Sequence, residues 1–351
     1  MGNTSSILKE WYLQNGRNLP WRTTKNPYKI WLSEIILQQT RVDQGMDYYY
    51  SFVKRFPNVH SLAAAKLDEV LHLWQGLGYY NRARNLHQTA NYISNERNGE
   101  FPGSYKSLIK LKGIGAYTAG AIASFCYDEA VPAIDGNVNR FICRYFGIHE
   151  AIDSAEGRRA IQSFAEQLVP EKGAGLHNQA IIEFGALQCT PKKPACETCP
   201  LQKTCQAFLH DIVHLLPLKS KKTKTRNRYF YYFIIHSKEK LIIEQRDNHD
   251  IWASLYQFPL IETKEKISSE KLMKSKEWKN LFKNKTAIIE SISPWMKHQL
   301  SHQNLFAKFY KVYIPSLDTI DIPGSIRINK NDITNYAIPR LIDKYLEENK
   351  I

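Results

Sequence analysis

Along the first two hundred residues, apolar positions return at intervals of three and four, the spacing of one face of a helix. The period runs through Trp31, Leu32, Ile35 and Ile36 of WLSEIILQQ, and again through LDEVLHLW, TAGAIASF and HNQAIIEFGAL. Gly and Pro interrupt it at Pro57, at 99–102, at Gly113 and Gly115, and at Gly136, so the helices are expected to be short. From residue 229 the rhythm changes. YFYYFIIHSKEKLIIEQR sets two aromatic and β-branched runs around a polar turn, the pattern of a β-hairpin. Just before it, residues 219–228 hold six Lys or Arg in ten, a run that cannot bury itself. The pattern predicts an all-α domain over 1–210, a basic linker over 211–228 and a smaller α+β domain over 229–351.

Charge adds a partner to this picture. The chain carries 48 Lys and Arg against 34 Asp and Glu, a formal charge of +14. Such an excess favours a polyanion, either nucleic acid or an anionic membrane surface. No apolar run approaches membrane length, MGNTSSILKEW lacks a secretory apolar core, and no polybasic amphipathic helix stands out. Nucleic acid therefore leads, with no membrane attachment and a cytoplasmic setting expected.

Four of the six cysteines fall in CTPKKPACETCPLQKTC, residues 189–205, spaced Cys-x6-Cys-x2-Cys-x5-Cys. A large chain without a secretion signal is a poor setting for disulfides. A metal is the better reading, and by spacing alone an iron–sulfur cluster and a zinc ion both stay open. Cys126 and Cys143 stand in apolar surroundings and read as core residues.

Four further stretches bear on chemistry. In KIWLSEIILQQTRV, Glu34 sits among Trp31, Leu32, Ile35, Ile36 and Leu37. If the helix buries it, lost hydration raises its pKa and makes it a proton donor; if the helix turns it outward, it is a surface acid. In LKGIGAYTAGAIASF, Gly113 and Gly115 permit a tight turn into a new helix, whose free amides suit a phosphate; a plain interhelical turn has the same shape. In AVPAIDGNVNRF, Asp135 could only cap the next helix. It could also stay ionised there and face a cationic sugar, while a protonated Glu supplies the acid, as in glycosyl-bond cleavage. In WQGLGYYNRARNL, tyrosines beside Arg82 and Arg84 suit wedging into a base stack with arginines clamping the backbone.

Taken in order, WLSEIILQQTRV, LHLWQGLGYYNRARNL, LKGIGAYTAGAI, PAIDGNVNR and the cysteine spacing resemble the helix-hairpin-helix DNA glycosylase superfamily. They are most similar to its MutY-type adenine DNA glycosylases, across nearly all of the first 210 residues. The resemblance implies a multidomain fold: an all-α helix-hairpin-helix glycosylase domain with an iron–sulfur loop, then a smaller α+β Nudix-like domain. It implies a [4Fe–4S] cluster on Cys189, Cys196, Cys199 and Cys205. It implies base excision repair, with adenine opposite 8-oxoguanine or guanine flipped out of double-stranded DNA and cut from its sugar. By motif position, Glu34 protonates the adenine and Asp135 stabilises the sugar cation, with Tyr117 and Asn137 shaping the site. Arg22 and Gln179 contribute to the base pocket, Gln39 and Tyr79 probe the opposing base and wedge the duplex, and the Gly113–Gly115 hairpin holds the backbone.

Strand-cleaving relatives carry a lysine at the place of Tyr117. A phenol forms no Schiff base, so the resemblance implies a monofunctional enzyme. IIEQRDNHDIWASLYQFP is similar to the family's Nudix-like recognition domain, but the chain beyond it has no Arg-Glu-x-x-Glu-Glu core, so that domain is expected to bind rather than hydrolyse. In KHQLSHQNL, Ser301 and His302 match the pair that contacts 8-oxoguanine in relatives, with Leu300 in place of the usual aromatic. A monomer in the bacterial cytoplasm, at the nucleoid, is expected. The rival readings are a related mismatch glycosylase of the endonuclease III type and a non-catalytic iron–sulfur DNA-binding protein.

Overall fold

The computed structural model describes residues 2–220, 225–247, 249–283 and 287–349. Residues 221–224, inside the basic run, therefore lie outside the described residues. Two compact units emerge, one from 1–64 with 85–222, the other from 65–84 with 223–351. The segment 65–84, which the helical pattern places with the N-terminal domain, thus belongs to the second unit.

The first unit opens with α1 (Gly2–Asn15), α2 (Pro27–Ile36), α3 (Val42–Arg55) and α4 (Val59–Ala63). In α2, Asn26 caps the start by accepting from the Lys29 N–H at 3.2 Å, and Pro27 takes the first turn, where its missing N–H costs nothing. Nearly every side of α2 is apolar, so it is buried along most of its length. After α5 (Leu67–Leu73), which lies in the second unit, come α6 (Asn81–Glu96), α7 (Tyr105–Leu108), α8 (Ala116–Tyr127), α9 (Gly136–Phe146), α10 (Ala155–Leu168), α11 (Ala174–Leu187) and α12 (Gln206–Leu209). The centre of this unit is α11, which packs on α1, α8 and α9, while α2 packs on α3 and α8. The Asp128 carboxylate, at the end of α8, accepts from the Gly173 and Gly175 N–H groups at 2.9 and 3.0 Å, tying α8 to the start of α11. Close approach of α11 to α9 depends on Gly185, where a Cβ would stand 2.6 Å from the Asn137 carbonyl oxygen.

The second unit is built on a sheet of β1 (Arg226–Ser237), β2 (Lys240–Gln245), β3 (Tyr256–Gln257), β4 (Leu260–Thr263), β5 (Ile288–Ile292), β6 (Met296–Gln299), β7 (Gln303–Tyr313) and β8 (Ser325–Asn329). The predicted hairpin is present as β1 and β2, with Ser237 opposite Lys240. β1 also pairs in parallel with β7 along nearly its full length, from Arg226 opposite Gln303 to His236 opposite Tyr313. Alternate residues of β1 then feed two cores: Phe230, Tyr232 and Ile234 on one face, Tyr231, Phe233 and Ile235 on the other. Helices α13 (Ser269–Met273) and α14 (Lys276–Phe282) cover the second face, and α15 (Arg340–Asn349) the first. Segment 65–84 joins this unit through Gln75, which accepts from the Ile338 N–H at 3.3 Å, and Arg84, which donates to the Ala253 carbonyl at 2.6 Å. No helix of the described residues is long and apolar enough to cross a membrane.

Replacing Gly185 by Val should push α11 off the Asn137 backbone and lower stability by about 1–3 kcal/mol. Thermal unfolding checks this, and an unchanged midpoint would contradict the close approach.

Candidate active site

Glu34 lies in the buried run of α2 with only 6% of its surface exposed, so the helix does not turn it to solvent. Burial pushes its carboxyl up, the Tyr117 hydroxyl bond and the Arg22 charge pull it back, and the charge of Asp135 pushes it further up. Tyr117 comes from the first turn of α8, directly after the hairpin. Burial, then the nearby Glu34 and Asp135 carboxylates, hold its phenol well above its ordinary value, so it serves as a neutral donor. The hairpin itself has the predicted form. Gly113 has φ +76°, and a Cβ there would meet Asn85 Cβ at 2.7 Å. No side chain caps the start of α8, and Lys110 and Lys112 beside it are exposed.

Asp135 is the N-cap of α9. Its Oδ1 accepts from the Asn137 and Val138 N–H groups, both at 2.8 Å, and its Oδ2 from Asn137 Nδ2 at 2.7 Å. Donors at a helix start, taken alone, keep a carboxyl ionised in its ordinary range. In the folded chain burial outweighs them and the net direction is upward. The two carboxyls still differ: Asp135 receives three donors that favour its charged form, whereas the Tyr117 hydroxyl is the donor to Glu34. The arrangement suits Asp135 to carry negative charge and Glu34 to carry the proton.

Arg140, which sequence reasoning did not single out, links this site to the cysteine loop. Its Nη2 donates to Asn137 Oδ1 at 2.9 Å and to the Gly185 carbonyl at 2.5 Å, and its Nε to the Cys189 carbonyl at 2.7 Å. One turn on, Arg144 donates to the Leu216 and Thr190 carbonyls and approaches Cys189 Sγ at 3.5 Å. Both arginines are buried. A signal was present, since RFICRYF repeats a charge at the spacing of the buried face.

The four cysteines of the loop line one cavity and form no disulfide. Among the described residues, no three His, Cys, Asp or Glu side chains converge on a single-ion site. Four cysteine sulfurs around one shared cavity fit the donor set of an iron–sulfur cluster. Cys189, Cys196, Cys199 and Cys205 would hold that cluster as thiolates. Of the other two, Cys143 is buried as expected and Cys126 is partly exposed.

Arg22 lies in the loop before α2, with Gln179 on α11 and accepting from the Tyr12 hydroxyl at 3.2 Å. Gln39, just beyond α2, takes a left-handed backbone with φ 56°. In the second unit, Tyr79 does the same with φ 48° and is half exposed, while Tyr80 is buried. Such conformations in non-glycine residues mark positions worth attention. The arginines after Tyr79 are not free clamps: Arg82 is buried and donates to the Leu77 and Gly78 carbonyls, bracing the loop. Ser301 and His302 form the exposed turn between β6 and β7, closed by the Leu300 N–H on the Gln303 carbonyl at 2.8 Å. Ser301 Oγ lies 2.5 Å from the Tyr79 hydroxyl. Leu300 packs against the sheet core, so it does not offer the stacking surface of an aromatic.

This helical unit, with its hairpin and carboxyl pair, matches over residues 32–169 the HhH-GPD superfamily of base excision DNA repair proteins. Residues 189–205 match the iron–sulfur binding domain of endonuclease III, and residues 230–348 a NUDIX domain. The adenine DNA glycosylase of Buchnera aphidicola from Schizaphis graminum is 37% identical, over 98% of this chain and 97% of its own. That of the Baizongia pistaciae strain is 40% identical over 85% and 83%. Among solved structures, a thermostable thymine-DNA glycosylase superposes with a TM-score of 0.55 at 27% identity, over 59% of this chain and 96% of its own. The chain belongs to the adenine DNA glycosylase family, and its cofactor is the [4Fe–4S] cluster.

Cys199→Ala should yield protein with less iron and a lower unfolding temperature, measured by metal analysis and thermal melts. Full iron content in that variant would contradict the ligand set.

Proposed function

We propose that this enzyme removes adenine mispaired with 8-oxoguanine or guanine in double-stranded DNA, by hydrolysis of the N-glycosidic bond and without cutting the strand. The observation that carries the reading is the unequal pair of carboxyls, buried Glu34 and half-buried Asp135, within one helical unit that also presents a basic hairpin. Adenine is a poor leaving group as an anion. A proton from Glu34 to a ring nitrogen lets it depart neutral as the bond to the sugar breaks, with the bonding electrons going to the base. The sugar is left cationic, and the Asp135 carboxylate, held by Asn137 and the α9 amides, faces that charge until water adds. Tyr117 donates a hydrogen bond to Glu34 and has no amine with which to form a Schiff base. The cysteine-bound cluster would act as a scaffold, its loop tied to Asn137 through Arg140. The exposed Ser301 and His302 turn is assigned to the oxidised purine on the opposite strand.

Because burial raises the Glu34 pKa, its protonated form persists to higher pH than in water, and excision should slow as pH rises through that pKa. Glu34→Gln and Asp135→Asn should each lower the single-turnover rate by about 100-fold or more, while still binding duplex. Rates within about threefold of wild type would refute the two roles. Borohydride should not trap the wild-type enzyme on its DNA; efficient trapping would refute the monofunctional route. Ser301→Ala with His302→Ala should narrow the preference for 8-oxoguanine over guanine as the opposing base. An unchanged preference ratio would remove that turn from lesion recognition.

A further inference from the structure

Glu183 is 1% exposed and lies one helical turn beyond Gln179 on α11. Arg17 occupies both of its oxygens. Oε1 accepts from the Arg17 backbone N–H at 3.1 Å and from its Nε at 2.6 Å, and Oε2 accepts from Nη2 at 3.0 Å. Burial pushes the Glu183 carboxyl up, but the Arg17 bonds and charge, with that of Arg22, outweigh it and hold it below its ordinary value. Arg22 stands beside the same carboxylate, with Nη2 3.9 Å from Oε2, too far for a hydrogen bond but close enough for charge attraction.

The rest of the Arg22 guanidinium is buried, 5.7 Å from the Phe125 ring centre, and its Nε and Nη1 have no hydrogen-bond partner among the described residues. Buried donors without acceptors are costly and rare. An unpaired edge in a base pocket is what remains when its acceptor arrives with the substrate. Arg22 also lies within electrostatic reach of Glu34. The other groups facing Glu34 are Tyr117 and Cys126 from α8 and Asp135 from the start of α9. None of these is a cation, so among the described residues that bear on Glu34, Arg22 is the one that brings positive charge.

We propose that Glu183, gripped by Arg17, is a positioning residue that anchors Arg22 away from Glu34 and keeps its Nε–Nη1 edge free for an acceptor atom of the flipped base. The proposal rests on the adenine-excision reading and adds to it the device that keeps the acid protonated. Without the anchor, Arg22 swings onto Glu34 and holds it as a carboxylate.

The test measures single-turnover adenine release by the full-length iron–sulfur protein across a pH series, with adenine opposite 8-oxoguanine. Glu183→Gln should move the alkaline limb of the profile to lower pH by about one unit, a loss of about tenfold above the limb. Affinity for abasic product duplex should stay within about threefold of wild type. Adding Arg22→Met to that variant should return the limb to its wild-type position or higher, although the rate stays low. Arg17→Gln, which leaves the carboxylate in place but ungripped, should move the limb in the same direction by less, and it carries the test if Glu183→Gln does not fold. An active wild type with an unmoved limb in both single variants overturns this proposal alone. A wild type that releases no adenine overturns the excision reading and this proposal with it.

Discussion

Glu34 is buried and Asp135 half-buried in one helical unit, a setting that disfavours charge on either carboxyl, and the supply of donors is what differs between them. Asp135 has the amides of the first turn of α9 and the Asn137 side chain. Glu34, in the interior of an apolar helix, is reached by one phenol. That asymmetry depends on where α9 begins. The start of α9 is held from behind by Gly185 of α11, which lets the two backbones meet, and by Arg140, which spans Asn137, Gly185 and Cys189. The cysteine loop is therefore connected to the Asp135 carboxylate by a short path of hydrogen bonds. Exposed Lys192, Lys193 and Lys203 in the same loop fit a basic surface as well.

Much of this was legible along the chain. Helix periodicity predicted the short helices, the Gly113 and Gly115 spacing the hairpin, and the change to alternation at residue 229 the β-rich unit. The burial of Glu34 was foreshadowed by Trp31, Leu32, Ile35 and Ile36 around it, although only the fold decides which way such a helix turns. Arg140, Arg144, Arg17 and Glu183 were not found. A charged residue in an amphipathic pattern ordinarily marks the solvent face, and its burial becomes visible only when partners far along the chain arrive, as Glu183 does for Arg17. The same reason hid the true surroundings of Arg82 and the grouping of 65–84 with the second unit. The upward shift of Asp135 was missed because capping donors are local in sequence, whereas desolvation is not.

The second unit keeps the sheet of a NUDIX domain while its sequence lacks that class's acidic catalytic helix. Beyond Pro259 the chain instead forms the short strand β4 and two short helices capped by Ser268 and Ser275. Its exposed polar pair, Ser301 and His302, sits on a hairpin turn whose base carries Leu300, packed against the core. The departure from the family's aromatic at Leu300 shifts any recognition there toward hydrogen bonding.

On the proposed reading, the Glu34 and Asp135 pair cuts adenine from its sugar and does nothing more. The most direct measurement is product analysis after incubating the wild-type holoenzyme with a duplex carrying one adenine opposite 8-oxoguanine. The account predicts free adenine in the supernatant and a full-length strand that breaks only on alkali treatment. A strand cleaved without alkali, or no adenine released, would contradict it.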